Sequence, residues 1–179
     1  MGTDKAPVRC TAMRLLLLVP MFGLSACLSK PALDRTGPEA EPFPVLSFFE
    51  GRTEGEGLLR VVLRQPAEVR VRSVGRRLDD GSLLVSQRIQ QQGKAPRTRE
   101  WRIRQVAPGR YAGTLSDADG PVTGEVQRGI LALRFPMDGM RVEQRLALLP
   151  GGRAARNVLT VGRFGFTAAT LDETIRKLD

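Results

Sequence analysis

Residues 131–148 of the chain read LALRFPMDGMRVEQRLAL. On both sides of the Asp138-Gly139 pair, apolar residues alternate with polar or small ones, at the period of two that is typical of a half-buried β-strand. The Asp-Gly pair favours a tight turn, because glycine accepts the positive φ that such turns require. The stretch therefore predicts two antiparallel strands joined by a short hairpin.

The same alternation extends from this hairpin along most of the chain, and turn residues interrupt it about every 8 to 12 residues. Many arginines fall between the apolar positions and so lie on the opposite face. With no long crossover, the sequence predicts an all-β fold, an antiparallel up-and-down meander that closes into a barrel or forms a strongly bent sheet. The apolar faces are Val69/Val71, Leu83/Val85/Gln87/Ile89, Trp101/Ile103/Gln105, Tyr111/Gly113/Leu115, Val122/Gly124/Val126, Leu131/Leu133/Phe135 and Val142/Gln144/Leu146/Leu148.

The C-terminal residues 167–179 are consistent with either a strand or a helix. Thr170 followed by Glu173 fits a capping box that opens a short helix. Leu171, Glu173 and Ile175 also alternate at period two, which favours a closing strand slightly.

The N-terminal part carries a different pattern. Arg9 and Arg14 precede a short, mostly apolar run, and small residues stand directly before Cys27, which is the layout of a cleavable secretory signal. The run has about half of the roughly 20 apolar residues that a membrane-spanning helix needs. The sequence therefore predicts a signal peptide, with a signal helix, over residues 1–26.

Residues 24–27, LSAC, look like a bacterial lipobox, in which the cysteine thiol carries a diacylglycerol and the new amino terminus is acylated, commonly with palmitate. We therefore expect lipidation at Cys27 and a lipid anchor in a bacterial cell envelope. Leu28, where aspartate would retain the protein in the inner membrane, favours the outer membrane with the domain facing the periplasm. A start at Met13 instead of Met1 would leave this interpretation unchanged.

The predicted domain organisation follows from these patterns. Residues 27–44 are rich in proline and lack strand or helix periodicity, so they form a lipidated tether that reaches up to about 60 Å at about 3.5 Å per residue. Residues 45–179 form the β-barrel domain.

Composition limits the chemistry of the mature chain. Removing residues 1–26 leaves 25 basic and 18 acidic residues, a net charge of +7. The chain has no histidine, which excludes Ser-His-Asp and Cys-His nucleophilic systems and histidine-ligated metals. We therefore expect a protein that is not an enzyme and has no cofactor and no metal. Export makes nucleic acid the least expected partner of the basic charge.

Short motifs that contain aromatic and glycine residues are distributed along the chain. They are Phe48-Phe49-Glu50-Gly51 followed by Gly55, Arg99-Glu100-Trp101-Arg102-Ile103, Gly109-Arg110-Tyr111-Ala112-Gly113, Gly120 to Gly124-Glu125, Asn157, and Phe164-Gly165-Phe166. In this order they resemble a family of uncharacterised bacterial lipoproteins, DUF3833. The sequence departs from the pattern of this family at residues 88–92 and 143–146, so the chain resembles a divergent member. The resemblance implies a lipocalin-like barrel, whose interior holds one small apolar ligand, and implies no activity.

Candidate ligand-binding residues are inward-facing aromatics and amides. They are Trp101, Tyr111, Phe135, Gln87 and Gln105. The aromatics fit either the wall of a ligand pocket or an ordinary core, and core packing is the more common use. Amides inside a barrel need hydrogen-bond partners, which points to a rim position, a wet interior or a polar ligand.

The outward arginines suggest a second kind of site. Arg102, Arg104 and Arg145 are candidates for a face that binds anionic lipid or an acidic protein, because arginine forks bind phosphate in a bidentate manner. A solvated basic surface explains them equally well. The sequence thus predicts a lipid-anchored barrel that binds a small apolar or amphipathic molecule or envelope lipid. The alternative is a non-catalytic interaction module that uses this arginine face, and the oligomeric state stays open.

Overall fold

The structure, a computed structural model, describes residues 32–33 and 42–179. The predicted signal peptide with its helix, Cys27 and most of the predicted tether lie outside these residues. Among the residues that are described, no helix has both the length and the apolar character that a membrane span requires.

The described chain forms one short helix followed by ten antiparallel strands. Each strand pairs with the next in sequence, and the last pairs with the first, so the sheet is a closed barrel without free edges. This confirms the predicted all-β up-and-down barrel, and it confirms the closing strand at the C-terminus. The elements are α1 Val45–Phe49, β1 Gly51–Val61, β2 Ala67–Arg77, β3 Leu83–Gln91, β4 Arg97–Ala107, β5 Arg110–Leu115, β6 Val122–Gln127, β7 Ile130–Met137, β8 Met140–Leu148, β9 Ala154–Arg163 and β10 Phe166–Lys177.

Period-two alternation places apolar residues inside the barrel and arginines outside. On β2, Val69 and Val71 are buried, whereas Arg70 and Arg72 are exposed. The exposed arginines face carboxylates on β1: Arg70 Nη2 lies 2.7 Å from Glu56 Oε1, and Arg72 Nε lies 3.0 Å from a Glu54 oxygen. Much of the outer positive charge is therefore compensated by a neighbouring strand.

The helix α1 covers one end of the barrel, which we call the capped end. Its residues Val45 and Phe48 are buried, and Phe43, two residues before the helix begins, is 1% exposed. The strands of the domain predicted over residues 45–179 therefore begin only at Gly51, where φ is 87°. Packing of aromatic side chains over the barrel mouth, which no local periodicity encodes, favours a helix there.

Two contacts fix α1 on the barrel. The carbonyl oxygen of Phe49 lies against Gly75 of β2, at a place that a side chain would overlap. The Lys177 ammonium donates hydrogen bonds to the carbonyls of Ser47 at 3.2 Å, Phe48 at 3.4 Å and Glu50. Helix C-terminal carbonyls have no partner within the helix, so this lysine satisfies groups that would otherwise face the rim without a donor.

The other end of the barrel is called the uncapped end, because no helix of the described residues covers it. It is formed by the turns that follow β1, β3, β5, β7 and β9. A small apolar cluster of Val69, Val71 and Ile89, with Leu59 and Leu171 packed against it, lies inside the barrel towards this end. The larger core fills the remainder and includes α1.

Candidate ligand-binding site

A layer of polar side chains crosses the inside of the barrel. On β3, Gln87 lies between Val85 and Ile89, and on β10, Glu173 lies between Leu171 and Ile175. The same order recurs on β2, β8 and β9, where the inward residue next to the polar one, towards the uncapped end, is Val71, Val142 or Leu159. This polar layer consists of Ser73, Gln87, Arg99, Gln144, Asn157 and Glu173, all of which line one internal cavity.

Gln87 connects three members of this region. Its Oε1 accepts hydrogen bonds from Arg99 Nε at 2.7 Å and from Trp101 Nε1 at 2.8 Å. Its Nε2 donates to Ser73 Oγ at 3.0 Å. The Arg99 guanidinium also lies 5.3 Å from the centre of the Trp101 ring, a cation–π distance. The amide therefore fixes both the arginine and the indole in the cavity wall.

Glu173 is a buried carboxyl group, with 5% of the residue exposed. Asn157 Nδ2 donates to its Oε2 at 2.7 Å. Gly55 makes room for the carboxyl group, since a side chain at that position would overlap it. Burial raises the pKa of Glu173, while the Asn157 hydrogen bond and the charge of Arg99 act in the opposite direction.

Arg99 is the cationic member of the polar layer. Its enclosure within the barrel lowers the pKa to about 10, and repulsion from Arg97 acts in the same direction, whereas Asp117 and Glu173 oppose the shift. The side chain is therefore still a cation at neutral pH. Arg99 binds Gln87, and Glu173 binds Asn157, so each charged group is hydrogen-bonded to an amide on its own side of the cavity.

Two buried oxygens of the polar layer have no hydrogen-bond partner in the described part of the protein, Gln144 Oε1 and Asn157 Oδ1. Buried polar atoms are normally paired, so these acceptors call for a donor from a bound molecule or water. The cavity that they line has a volume of about 60 Å³. Its other walls are Trp101, Val85, Leu133, Leu159 and further apolar residues.

The cavity is lined by a cation, by hydrogen-bond acceptors and by a carboxyl group. Arg99 donates hydrogen bonds and positive charge, Gln144 and Asn157 offer acceptors, and Glu173 in its protonated form donates a proton or a hydrogen bond. Among residues 32–33 and 42–179, no group of three or more Asp, Glu, Cys or His side chains is placed to hold a metal ion. The cation, the free acceptors and the carboxyl group together suit the polar end of an organic molecule.

Only some of the residues that the sequence suggested for ligand binding line the cavity. Trp101 and Gln87 line the cavity. Phe135 packs edge-to-face on Trp101, with ring centres 5.4 Å apart, and supports it from outside the cavity. Tyr111 is a core residue away from the cavity lining, and burial raises the pKa of its hydroxyl.

Gln105 does not line the cavity: its side chain is exposed near the capped end of the barrel, which is the rim position that the sequence left open for the inward amides. Gln105 still pairs with the buried Tyr111 of β5, and the register of this strand pair shifts only between Gln105 and Ala107, so strict alternation ends just beyond Gln105.

The three arginines suggested for an anionic face do not lie together. Arg102 and Arg104 are on β4, whereas Arg145 is on β8, with three strands between them. Arg102 is also engaged by Asp80 at 2.6 Å and by Ser82 Oγ at 3.2 Å. Hydrogen bonds from Ser82 and Arg102 lower the pKa of Asp80 to about 2.

Sequence patterns did not single out Arg99, Asn157, Glu173 and Ser73 for this site. Arg99 is two residues from Trp101, so period two places it inside, but an arginine at an inward position is easily assigned to the solvent face. Glu173 shows the same signal between Leu171 and Ile175.

Comparisons with known proteins agree with this architecture. A family model described as "Protein of unknown function (DUF3833)" matches residues 21–177. No curated protein matches the sequence. Among solved structures, the S-type phycobiliprotein lyase CPES from Guillardia theta superposes with a TM-score of 0.61 at 9% identity, covering 75% of this chain and 91% of the lyase. A protein of unknown function from the DUF3598 family of Nostoc punctiforme gives a TM-score of 0.57 at 14% identity, covering 80% of this chain and 52% of that protein.

These structures show that the chain has the fold of lipocalin-like barrels. They also correct the expectation that the protein is not an enzyme. A barrel of this fold occurs in a phycobiliprotein lyase, so the lack of a histidine-based nucleophilic system does not exclude catalysis.

Proposed function

The chain belongs to the DUF3833 family, and we propose that it is a lipid-anchored barrel that binds an amphipathic molecule, with the polar end of that molecule in the polar layer. The observation that carries the proposal is the pair of unpartnered acceptors, Gln144 Oε1 and Asn157 Oδ1, in the cavity that Arg99 and Glu173 also line. A polar layer that served only to stabilise the barrel would satisfy its own hydrogen bonds.

The size of the cavity limits what enters it. Its volume of about 60 Å³ is less than half of the ~150 Å³ that admits benzene in an engineered protein cavity. The polar end of a ligand therefore occupies the cavity, and its apolar part extends towards the uncapped end along Leu59, Val69, Ile89 and Leu171. These side chains are the ones that separate the polar layer from that end.

The hydrogen-bonding groups indicate the chemistry of the polar end. It accepts hydrogen bonds from Arg99 and donates to the oxygens of Gln144 and Asn157. A hydroxyl group, or a carboxyl group in its protonated form, does both, whereas a purely apolar ligand would leave the acceptors unpaired at a cost of about 1–3 kcal/mol each.

The lipid anchor is the second part of the proposal and rests on the residues LSAC at positions 24–27. Acylation of Cys27 would hold the barrel at a bacterial membrane, and we propose the outer membrane with the barrel in the periplasm. Mass spectrometry of the N-terminal peptide of the purified protein tests it: a Cys27 peptide with thioether-linked diacylglycerol is expected, and an unmodified cysteine would refute acylation.

Ligand binding can be followed with the sole tryptophan of the chain, because Trp101 lines the cavity. We expect 1-dodecanol, whose hydroxyl group both donates and accepts, to change Trp101 fluorescence with a saturable profile when added to the full-length protein purified in detergent. Native mass spectrometry of the same preparation should reveal an amphipathic molecule retained from the cells. A constant fluorescence signal together with the absence of any retained molecule would contradict the proposal.

A matched pair of variants locates the binding site. Asn157→Leu removes an acceptor of the cavity, together with the hydrogen bond to Glu173, and should weaken 1-dodecanol binding about tenfold or more, which corresponds to about 1.4 kcal/mol. Gln105→Leu replaces an exposed amide outside the cavity and should leave the affinity unchanged. Equal affinities of the two variants would place the ligand elsewhere, provided that far-UV circular dichroism shows both to be folded.

A further inference from the structure

The uncapped end of the barrel exposes large apolar side chains on neighbouring turns. Leu63, between β1 and β2, is 95% exposed, and Phe164, between β9 and β10, is 92% exposed. Phe166, at the start of β10, is 46% exposed. Contact of these side chains with water is unfavourable, so their grouping on one rim requires a reason.

Closure of the barrel brings the two turns together. β1 pairs with β10, with Val61 opposite Ala169, and the Val62 N–H donates to the Ala168 carbonyl at 3.0 Å. Residues 62–65 and residues 163–166 are therefore adjacent, and we call them together the apolar tip.

The backbone at the apolar tip shows that turn geometry does not explain these residues. Leu63 has φ 60° and Phe164 has φ 50°, in the left-handed region that bulky side chains rarely adopt. Phe164 and Gly165 both have positive φ in a two-residue hairpin, where asparagine would be favoured at the first position. A strained backbone that displays an exposed apolar side chain points to a function of that side chain.

The charges around the apolar tip are positive. Residues 61–66 and 162–168 include Arg64 and Arg163 and contain no aspartate or glutamate. The Arg163 guanidinium lies 4.8 Å from the centre of the Phe164 ring. The tip therefore presents arginines beside apolar side chains without a carboxylate of its own to neutralise them.

An exposed groove of about 920 Å³ adjoins the tip and adds Arg141 of β8, which lies opposite Gly162. The carboxylates that line this groove already have partners within it. Glu143 pairs with Arg134 at 3.4 Å, and Asp119 accepts a hydrogen bond from the Gly139 N–H at 3.1 Å.

We propose that the apolar tip inserts into the surface of a lipid bilayer that contains anionic headgroups. Leu63, Phe164 and Phe166 enter the boundary between headgroups and acyl chains, and Arg64 and Arg163 contact lipid phosphates. The uncapped end of the barrel then faces the membrane. Aromatic and aliphatic side chains combined with arginines fit such a boundary, where each type of side chain finds its preferred environment.

This orientation is compatible with an anchor at Cys27, although it does not depend on one. The helix α1 lies at the opposite end, so a tether to the same membrane must pass along the barrel. An 11-residue strand such as β1 rises about 36 Å. Residues 28–44 span up to about 60 Å when extended, which exceeds that height.

Fluorescence of a tryptophan placed in the tip tests the proposal. The full chain with Trp101→Phe and Phe164→Trp is reconstituted into vesicles of phosphatidylcholine and phosphatidylglycerol that include brominated lipid. We expect a shift of the emission to shorter wavelength and about twofold quenching, because the tip penetrates roughly 5–10 Å. The matched control is Trp101→Phe with Val106→Trp, since Val106 is 52% exposed at the other end of the barrel. It should not be quenched.

The remaining outcomes distinguish lipid from other occupants. A wavelength shift without quenching would indicate contact between protein copies and overturn the proposal, as would equal quenching of the two variants or no quenching of either. Quenching of equal strength in vesicles of phosphatidylcholine alone would refute the recognition of anionic headgroups.

A second measurement keeps the Trp101 site intact. Trypsin should cut after Arg163 several-fold more slowly in the vesicles than in detergent, and Phe164→Asn should abolish this protection. Equal cleavage of the wild-type chain in both environments would contradict insertion of the tip.

Discussion

Phenylalanine side chains are buried at one end of the barrel and exposed at the other. At the capped end, Phe48 is 2% exposed, and its ring centre lies 5.2 Å from that of Phe43 and 5.0 Å from that of Phe49. At the uncapped end, Phe164 is 92% exposed on a turn with a left-handed backbone. The aromatic rings are therefore buried by α1 and the residues before it at the capped end, whereas an aromatic ring is exposed to solvent at the uncapped end.

The difference separates two uses of the same side chain. Burial at the capped end contributes to folding stability, because aromatic rings leave water and pack against one another. Exposure at the uncapped end contributes nothing of this kind, and the positive φ of Phe164 costs backbone energy. Substitution of Phe48 should therefore lower the free energy of unfolding strongly. Substitution of Phe164 should change it little or raise it.

The largest expected effect comes from truncating one phenylalanine at each end. Phe48→Ala should lower the free energy of unfolding by about 3–5 kcal/mol, because it leaves a void beneath α1. Phe164→Ala should change it by less than about 0.5 kcal/mol, since this ring is solvent-exposed. Urea denaturation monitored by circular dichroism measures the free energy of unfolding of both variants. Similar losses would show that the two phenylalanines contribute equally to stability.

A smaller effect is expected at the lysine that holds α1. Lys177→Met removes the hydrogen bonds to the carbonyls of Ser47, Phe48 and Glu50 and should cost about 1–3 kcal/mol. Lys94→Met, in a turn at the uncapped end, is the matched control and should have little effect. The same urea titration reports on both, and an unchanged midpoint for Lys177→Met would show that aromatic packing alone retains the helix.

The polar layer between the two ends should make stability depend on pH. Burial raises the pKa of Glu173 in the folded protein above the ordinary value of about 4.5 for a glutamic acid. The folded state therefore holds the proton more tightly, so this contribution is complete below about pH 4.5 and is lost as pH rises through the raised pKa. Glu173→Gln should flatten this part of the stability profile, whereas Glu68→Gln on the exposed face of β2 should not. Thermal unfolding from pH 4 upwards provides the test, and parallel profiles for wild type and Glu173→Gln would argue against a buried acid.

The smallest expected effect has the opposite sign. Phe164→Asn places an asparagine before Gly165, the pair that best fits a hairpin turn with two positive φ angles, and should stabilise the protein by about 0.5–1 kcal/mol. Differential scanning calorimetry should show a higher melting temperature. A lower one would mean that the phenylalanine supports the fold, contrary to its exposure.

Local periodicity predicted much of the fold and only part of the site. Alternation around Asp138-Gly139 gave the correct hairpin of β7 and β8, because side-chain direction in a strand depends only on neighbouring residues. The same rule placed Trp101 and Gln87 inside. It failed at Val45–Phe49, where packing over the barrel mouth selects a helix, and it did not distinguish the cavity wall from the rim, where Gln105 lies.

The sequence by itself determined the all-β class, the order of the strands and which side chains face inward, since period two and turn residues act over a few positions. Only the tertiary structure decided which distant residues meet. Arg99 and Glu173 line one cavity, and Leu63 and Phe164 share one rim, because the pairing of β1 with β10 closes the sheet. Register across a closed barrel depends on all ten strands together, and no local stretch contains that information.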